Sequence, residues 1–254
     1  MESTSQLFGL NPLPDQLVVA LAGNPNTGKS TVFNALTGLN QHTGNWPGKT
    51  VLRAEGSFMH RDKKILLVDL PGTYSLLATS ADEQTARDFI CLGRPQATVV
   101  VADATCLERN LNLALQVMEI SSRVVVCVNL MDEARRRGIR VDVEALSSEL
   151  GAPCIATAAR DGLGLDKLKD AILDMAAGIT DTSPRQVSYE AHVEQAAAQL
   201  EARIRPFLPG WANCRWVALR LLEGDSGIIR AICSSLDDDS EKVFLKEGAA
   251  AWAR

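Results

Sequence analysis

The sequence predicts an α/β fold: a doubly wound, mostly parallel six-stranded sheet with one antiparallel edge strand, followed by a small all-α domain. Three observations lead there. Between residues 17 and 178, near-continuous runs of Val, Leu and Ile alternate with segments of helical periodicity, the pattern of a sheet covered on both faces. The short polar stretch Arg61-Asp62-Lys63 joins two of these runs as an antiparallel hairpin would. After Ile179 the strand signals cease and the chain turns helical.

In chain order, strands are predicted over 17–22, 50–59, 64–69, 98–103, 123–129 and 154–157. Helices are predicted between and after them, over 29–37, 82–92, 107–120, 132–137, 143–149 and 165–177. Residues 1–16, polar and proline-containing, read as an N-terminal extension, 17–178 as the α/β domain, and 179–188 as a linker around Thr180-Asp181-Thr182-Ser183-Pro184-Arg185. The second domain, 189–254, carries helical patterns at 192–204, 215–222, 227–234 and 241–251. No internal repeat is visible.

Composition narrows the functional classes. The chain has 254 residues, 46% of them hydrophobic, a net charge of −5 and a pI of about 5.3. It lacks the basic balance that broad neutralisation of a nucleic acid requires, so no nucleic-acid partner is expected. The six cysteines, Cys91, Cys106, Cys127, Cys154, Cys214 and Cys233, are scattered without a C-x-x-C pair; they read as reduced thiols, several acting as small hydrophobes. The first 16 residues lack the basic and apolar regions of a signal peptide, and no apolar run approaches the length of a membrane span. The expected piece is soluble, which leaves room for its being part of a membrane protein.

Five stretches carry chemistry. Gly23-Asn24-Pro25-Asn26-Thr27-Gly28-Lys29-Ser30 is a G-x-x-x-x-G-K-S loop between the first predicted strand and the helix that Thr31 enters. Main-chain N–H groups of such a loop cradle phosphates, and the helix N-terminus adds its dipole. Lys29 is expected on the terminal phosphates and the Ser30 hydroxyl on Mg²⁺. Asp69-Leu70-Pro71-Gly72 ends a predicted strand; there Asp69 is expected to hold Mg²⁺ and the Gly72 N–H to bond the γ-phosphate. Asn129-Leu130-Met131-Asp132 ends another; the Asp132 carboxylate can accept from guanine N1–H and N2–H, a pair that adenine lacks. Leu130 stands where Lys is common, and its apolar stem can still cover the base. The stretch 39–50, ending in Gly48-Lys49-Thr50, reads as a mobile loop whose Thr50 folds over Mg²⁺ when a γ-phosphate is present. Trp46 within it reads equally well as an apolar anchor. Thr157-Ala158-Ala159, after the last predicted strand, is placed to touch the base edge.

Other features read as structure. Arg135-Arg136-Arg137 fits a solvated helix end, and Asp237-Asp238-Asp239 an exposed turn. His42, His60 and His192 have neither ligand spacing nor a paired nucleophile.

Together, GNPNTGKS (23–30), NWPGKT (45–50), DLPGTYSL (69–76) and NLMD (129–132) resemble the cytosolic N-terminal region of the FeoB family of bacterial ferrous iron transporters. Glu108-Arg109-Asn110-Leu111 and Arg220-Leu221-Leu222-Glu223-Gly224-Asp225 extend the resemblance over nearly the whole chain from Leu17. The resemblance implies a Ras-like P-loop G domain plus a helical domain that modulates nucleotide release. It implies GTP hydrolysis to GDP and phosphate at the cytoplasmic face of the inner membrane, and a membrane-spanning portion beyond Arg254 that passes Fe²⁺; a homo-oligomer is left open. It further implies K⁺ on Asn26, because Thr73 stands where Ras-type enzymes carry a water-positioning Gln and no arginine finger is visible. The catalytic set is then Asn26, Lys29, Thr50 and Gly72. Where the family often has Ser-Ala or Thr-Ser-Ala, this sequence has Thr157-Ala158-Ala159, which lacks a hydroxyl expected to brace that loop. A free-standing GTPase of ribosome assembly or tRNA modification shares the phosphate loop, and a slow regulatory switch is a third reading.

Overall fold

The computed structural model of the chain describes residues 8–38, 41–77, 79–208 and 213–233. Asp237-Asp238-Asp239 and the helix predicted at 241–251 lie outside them. The chain divides into two compact units, Met1–Arg185 and Gln186–Arg254.

The first unit is built on a seven-stranded sheet in the order β2-β3-β4-β1-β5-β6-β7. Its strands are β1 (Gln16–Gly23), β2 (Gln41–Asn45), β3 (Leu52–His60), β4 (Lys63–Asp69), β5 (Ala97–Asp103), β6 (Val124–Asn129) and β7 (Cys154–Ala156). β1 pairs in parallel with β4 and β5, and β5, β6 and β7 continue in parallel. β3 runs antiparallel to β4 and to β2. The helices are α1 (Lys29–Thr37), α2 (Ala81–Leu92), α3 (Leu107–Ile120), α4 (Met131–Arg136), α5 (Val143–Leu150) and α6 (Leu165–Ala176).

The sheet corrects the sequence in one respect. Six strands with one antiparallel strand at the edge were expected; there are seven, and the antiparallel strand β3 is covered by β2. β2 lies inside the stretch read as a loop. Its sequence, Gln-His-Thr-Gly-Asn, offers no alternating apolar face, so the pairing comes from the β3 backbone, Gln41 opposite Gly56 and Asn45 opposite Leu52. The hairpin between β3 and β4 turns on Arg61 (φ 44°) and Asp62 (φ 61°), both left-handed as a tight two-residue turn requires. His60, without a partner in the sequence reading, lies 2.6 Å from Asp170 on α6, and Arg61 pairs with the same carboxylate. These contacts hold the Asp170 carboxyl below its usual range.

Burial explains the near-continuous apolar runs. Every residue of β6 is buried, as are the first six of β5. One face presents Val19, Leu21, Ile65, Leu67, Val99, Val101, Val125 and Cys127 to Val32, Phe33 and Leu36 of α1 and to Leu168, Ile172 and Leu173 of α6. Both faces of such strands are removed from water, so polar alternation is absent. Ser80 caps α2 by accepting from the Glu83 N–H at 3.2 Å, and Glu83 reaches back to the Thr79 N–H at 2.8 Å, close to a reciprocal capping box. Asp142 caps α5 in the same way, accepting from Ala145 N–H. Every parallel strand therefore delivers its C-terminal loop to one edge of the sheet, where ligands bind in open α/β folds.

The segment predicted as a linker is bound to this first unit up to residue 185: Thr182 Oγ1 donates to the Ser122 carbonyl at 2.7 Å and Arg185 N–H to the Leu150 carbonyl at 2.8 Å. None of the six cysteines forms a disulfide; Cys106 is exposed and the others are buried. Burial pushes the Cys127 and Cys154 thiols up to about 12. No helix among the described residues is long and apolar enough to cross a membrane.

The second unit holds α7 (Ala191–Ile204), α8 (Cys214–Glu223) and α9 (Ser226–Cys233). Leu200, Ile204, Trp216, Val217, Leu221, Ile228 and Ile232 are buried. Arg215 fastens α8 to α7 through Glu194 at 2.6 Å. The RLLEGD run is a helix boundary: Gly224 closes α8 in the left-handed region, and the Asp225 carboxylate accepts from Gly227 and Ile228 N–H at 3.1 Å to start α9.

Two glycines just before α6 differ in what surrounds them. Both have positive φ, 74° at Gly162 and 79° at Gly164, but a Cβ on Gly162 meets open space while one on Gly164 falls 2.1 Å from the Ala156 carbonyl oxygen. Gly162→Ala is expected to cost about 1 kcal/mol of left-handed strain, and Gly164→Ala at least twice that, because β7 must also shift. Urea unfolding midpoints of the two variants check this; equal midpoints contradict it.

Candidate nucleotide site

The 23–30 loop leaves β1 where β1 and β5 come close. A Cβ on Gly23 would lie 2.9 Å from the Val101 carbonyl oxygen. Thr27 Oγ1 donates to the Asn24 carbonyl at 2.9 Å, closing the loop on itself. Asn26 (φ 67°) and Gly28 (φ 79°) are left-handed, a combination that aims successive N–H groups into one concavity. Gly28 is hemmed in: a Cβ there would sit 2.5 Å from Asn129 Nδ2. The loop leads directly into α1, whose first residues are Lys29, Ser30 and Thr31. Asn26, Ser30 and Thr31 are exposed; Asn24 is 2% exposed, and neither atom of its amide has a hydrogen-bond partner.

Lys29 Nζ lies 2.5 Å from Asp69 Oδ1, with side-chain exposures of 11% and 18%. Burial pushes the Asp69 carboxyl above its usual range, against the pull of the Lys29 charge and hydrogen bond. The chain after Asp69 stays on the phosphate loop. Leu70 N–H donates to the Leu21 carbonyl at 2.9 Å and Thr73 N–H to the Gly23 carbonyl at 3.3 Å. A Cβ on Gly72 would touch Pro25 at 3.6 Å. The Thr73 hydroxyl donates to the Ser75 carbonyl at 2.6 Å, so it braces this turn.

Asn129 is the hub of the opposite side. It is 1% exposed. Its Nδ2 donates to the Thr27 carbonyl at 3.1 Å, and its Oδ1 accepts from Thr157 Oγ1 and Ala159 N–H, both at 3.1 Å. Leu130 follows at φ 61°, and Met131 N–H donates to the Thr157 carbonyl at 3.2 Å. Asp132 is half-buried on the first turn of α4 and pairs with Arg136 at 3.1 Å. Arg135, Arg136 and Arg137 are exposed. The Thr157-Ala158-Ala159 loop, expected to lack a bracing hydroxyl, is braced by Thr157 itself and by the Ala159 N–H.

The remaining stretch meets the site at the Pro71-Gly72 turn. Thr50 is exposed and, with Pro71, Gly72, Ser80 and Asp82, lines a cavity of about 500 Å³. That cavity joins Thr50 to Gly72 and does not include Ser30. Gly48 (φ 67°) turns the chain, and Lys49 pairs with Asp88 of α2 at 3.5 Å. A second cavity, about 600 Å³, lies between the start of α3 and α5; Glu108 and Arg109 line it, and none of residues 23–30, 48–50, 69–72, 129–132 or 157–159 does. Among the described residues no group of three or more His, Cys, Asp or Glu is arranged to hold a metal.

Some partners escaped the sequence. Gln116 of α3 accepts from the Leu76 N–H at 2.6 Å. Arg109 lies 4.3 Å over the Tyr74 ring, a cation–π contact, so two of the resemblance-bearing runs meet in space. Only the helical register of Arg109 and Gln116, two turns apart on α3, could have hinted at this.

Comparison with known proteins agrees with this geometry. The family model described as Ferrous iron transport protein B matches residues 17–172, and that of the FeoB cytosolic helical domain matches 189–248. The Fe(2+) transporter FeoB of Shigella flexneri is 42% identical over 214 residues, 83% of this chain; the one from Escherichia coli (strain K12) has the same identity and coverage. The chain spans 27% of the length of these relatives. The cytosolic domain of T. maritima FeoB in GDP form I is 34% identical with a TM-score of 0.75, over 96% of this chain and 97% of that one. A mutant S. thermophilus NFeoB bound to mGDP is 32% identical with a TM-score of 0.76, over 93% of this chain and 89% of that one. Matched along most of its length in sequence and in fold, the chain belongs to the FeoB family of ferrous iron transport proteins.

Proposed function

We propose that this chain is the GTP-binding and GTP-hydrolysing cytosolic portion of a ferrous iron transporter, and that nucleotide state gates Fe²⁺ import through a membrane portion of the same protein. The observation that carries the nucleotide reading is the single cradle formed when Asn129 bonds to both the phosphate loop and the Thr157 loop. The relatives solved with GDP support guanine as the base. Nothing favours a free-standing ribosome-assembly or tRNA-modification GTPase, since 189–248 matches a FeoB helical domain where such a protein carries a basic module.

In this reading residues 24–30 wrap the α- and β-phosphates, donating main-chain N–H groups at every position but Pro25, with Gly23 and Thr31 flanking them. Lys29 exchanges Asp69 for the terminal phosphates. Asp132 accepts from guanine N1–H and N2–H, Leu130 and Met131 cover the ring, and Thr157-Ala158-Ala159 line its edge. Gly48, Lys49 and Thr50, with Asp69, Leu70, Pro71 and Gly72, enclose the γ-phosphate. Ser30, Asp69 and, once it swings in, Thr50 would supply the all-oxygen donors that suit Mg²⁺. The carboxylate among them is desolvated, so a cation there relieves the burial that raises its pKa. Asn26, exposed at the loop tip, offers an amide oxygen to K⁺. When bound, these ions supply positive charge where the transferred phosphoryl group develops negative charge. The cytoplasmic face of the inner membrane is the matching location.

Three outcomes are expected. Asp132→Asn loses GTP and GDP affinity by roughly a hundredfold or more and gains xanthosine nucleotides; competition binding with both bases reads this, and an unchanged guanine preference refutes the contact. GTP turnover in K⁺ buffer exceeds that in Na⁺ buffer, whereas equal rates remove Asn26 from a cation site. Thr50→Ala keeps GDP affinity and lowers GTP turnover on the order of a hundredfold; full turnover in that variant takes Thr50 out of the magnesium shell.

A further inference from the structure

Three aromatic rings, Phe8, Trp46 and Phe89, lie outside the residues assigned to the nucleotide and pack on one another. Phe8, Trp46 and Phe89 are all buried. Phe8 and Trp46 stand 6.1 Å apart at 86°, Phe8 and Phe89 5.2 Å at 84°, and Trp46 and Phe89 5.2 Å at 63°, all within the favourable edge-to-face range. They join three separate pieces of chain: the N-terminal extension, the 39–50 stretch and α2.

Arg53 reinforces the joint. Its guanidinium lies 5.9 Å over the Trp46 ring, and its Nη1 donates to the Phe8 carbonyl at 2.5 Å. Gly9 (φ 66°) lets the extension pass close: a Cβ there would lie 3.1 Å from Arg53 Nη1 and 3.2 Å from Pro47 Cγ. Leu10, 1% exposed, buries the next step of the extension.

Trp46 is the single buried residue between His42 and Thr50. Its indole N–H is buried without an acceptor, so ring packing holds it in place. Trp46 N–H donates to the Val51 carbonyl and Lys49 N–H to the Trp46 carbonyl, both at 3.0 Å. The tip of the loop thus hangs from Trp46, while Thr50 faces the cavity shared with Gly72. Four residues of chain reach about 14 Å at full stretch, so a fixed Trp46 limits where Thr50 can go.

We propose that residues 8–10 form a strap in which Phe8 clamps Trp46 onto α2, making Trp46 the pivot about which Thr50 swings towards the bound triphosphate. Phe8 is then a positioning residue for GTP hydrolysis, acting through Trp46 and Thr50. This rests on the guanine-nucleotide reading above. GDP binding does not draw on Thr50, so loosening the pivot lowers turnover and leaves GDP affinity alone.

The test compares the whole chain with its Phe8→Ala and Phe8→Leu variants. Three measurements are made: fluorescent-GDP affinity, single-turnover GTP hydrolysis, and acrylamide quenching of tryptophan emission without nucleotide. The same measurement on a Trp46→Phe chain, which keeps Trp211, Trp216 and Trp252, gives the emission to subtract, so the remaining quenching difference reports Trp46. Phe8→Ala is expected to keep GDP affinity within twofold, slow hydrolysis about tenfold and make the emission more quenchable; Phe8→Leu, which keeps the apolar bulk, restores hydrolysis to within twofold. Unchanged hydrolysis in Phe8→Ala overturns the proposal, and so does a parallel loss of GDP affinity, which marks damage to the fold. Unchanged quenching also overturns it. If the unaltered chain neither binds GDP nor hydrolyses GTP, the nucleotide reading falls and the positioning role with it, while the quenching arm still decides whether the strap exists.

Discussion

The buried amide of Asn129 connects the parts of the site that the sequence scatters between Gly23 and Ala159. It donates to the phosphate loop through the Thr27 carbonyl and accepts from the Thr157 hydroxyl and the Ala159 N–H. At 1% exposure none of these groups has water as a substitute, and each one left unpaired costs about 1–3 kcal/mol. The same amide dictates its neighbour, because Nδ2 approaches Gly28 so closely that no side chain fits there. The glycine of the phosphate loop therefore answers two demands at once: a left-handed turn, and room for an asparagine arriving from another strand.

The Lys29–Asp69 pair sets the electrostatics on the other side. Taking both charges out of water is costly, and the pair repays this only in part, as the raised Asp69 carboxyl records. A pair in this condition gives up its partner readily to a phosphate on one side and a divalent cation on the other. The surrounding turns are held by backbone bonds to β1, so exchange of partners need not disturb the sheet. The 39–50 stretch is fastened differently, by aromatic packing at Trp46 and an ion pair at Lys49, which leaves Thr50 the freer end.

Legibility in the sequence followed how local each cause was. Asp69 and Asn129 end strands at the positions their motifs suggested, because strand, loop and helix are consecutive in the chain. The hairpin at Arg61-Asp62 was legible from its polar turn. β2 was hidden because Gln41–Asn45 carries no apolar alternation and owes its extended form to β3. The Thr157 loop was misjudged because counting hydroxyls against a family pattern ignores which of them can reach Asn129. Phe8 could not be singled out at all: its partners lie 38 and 81 residues away.

By itself, the sequence determined six of the seven strands and the helices between them, the phosphate-binding turn, the two motifs that accompany it and the family, since all of these reside in short runs whose backbone preferences and spacing are locally encoded. Only the tertiary structure decided that β2 completes the sheet, that Asn129 ties three loops together, that Asp69 is desolvated against Lys29 and that the N-terminal extension reaches Trp46. Each of those depends on burial or on a partner brought in from a distant strand, and solvent exclusion is a property of the folded chain that no short window of residues contains.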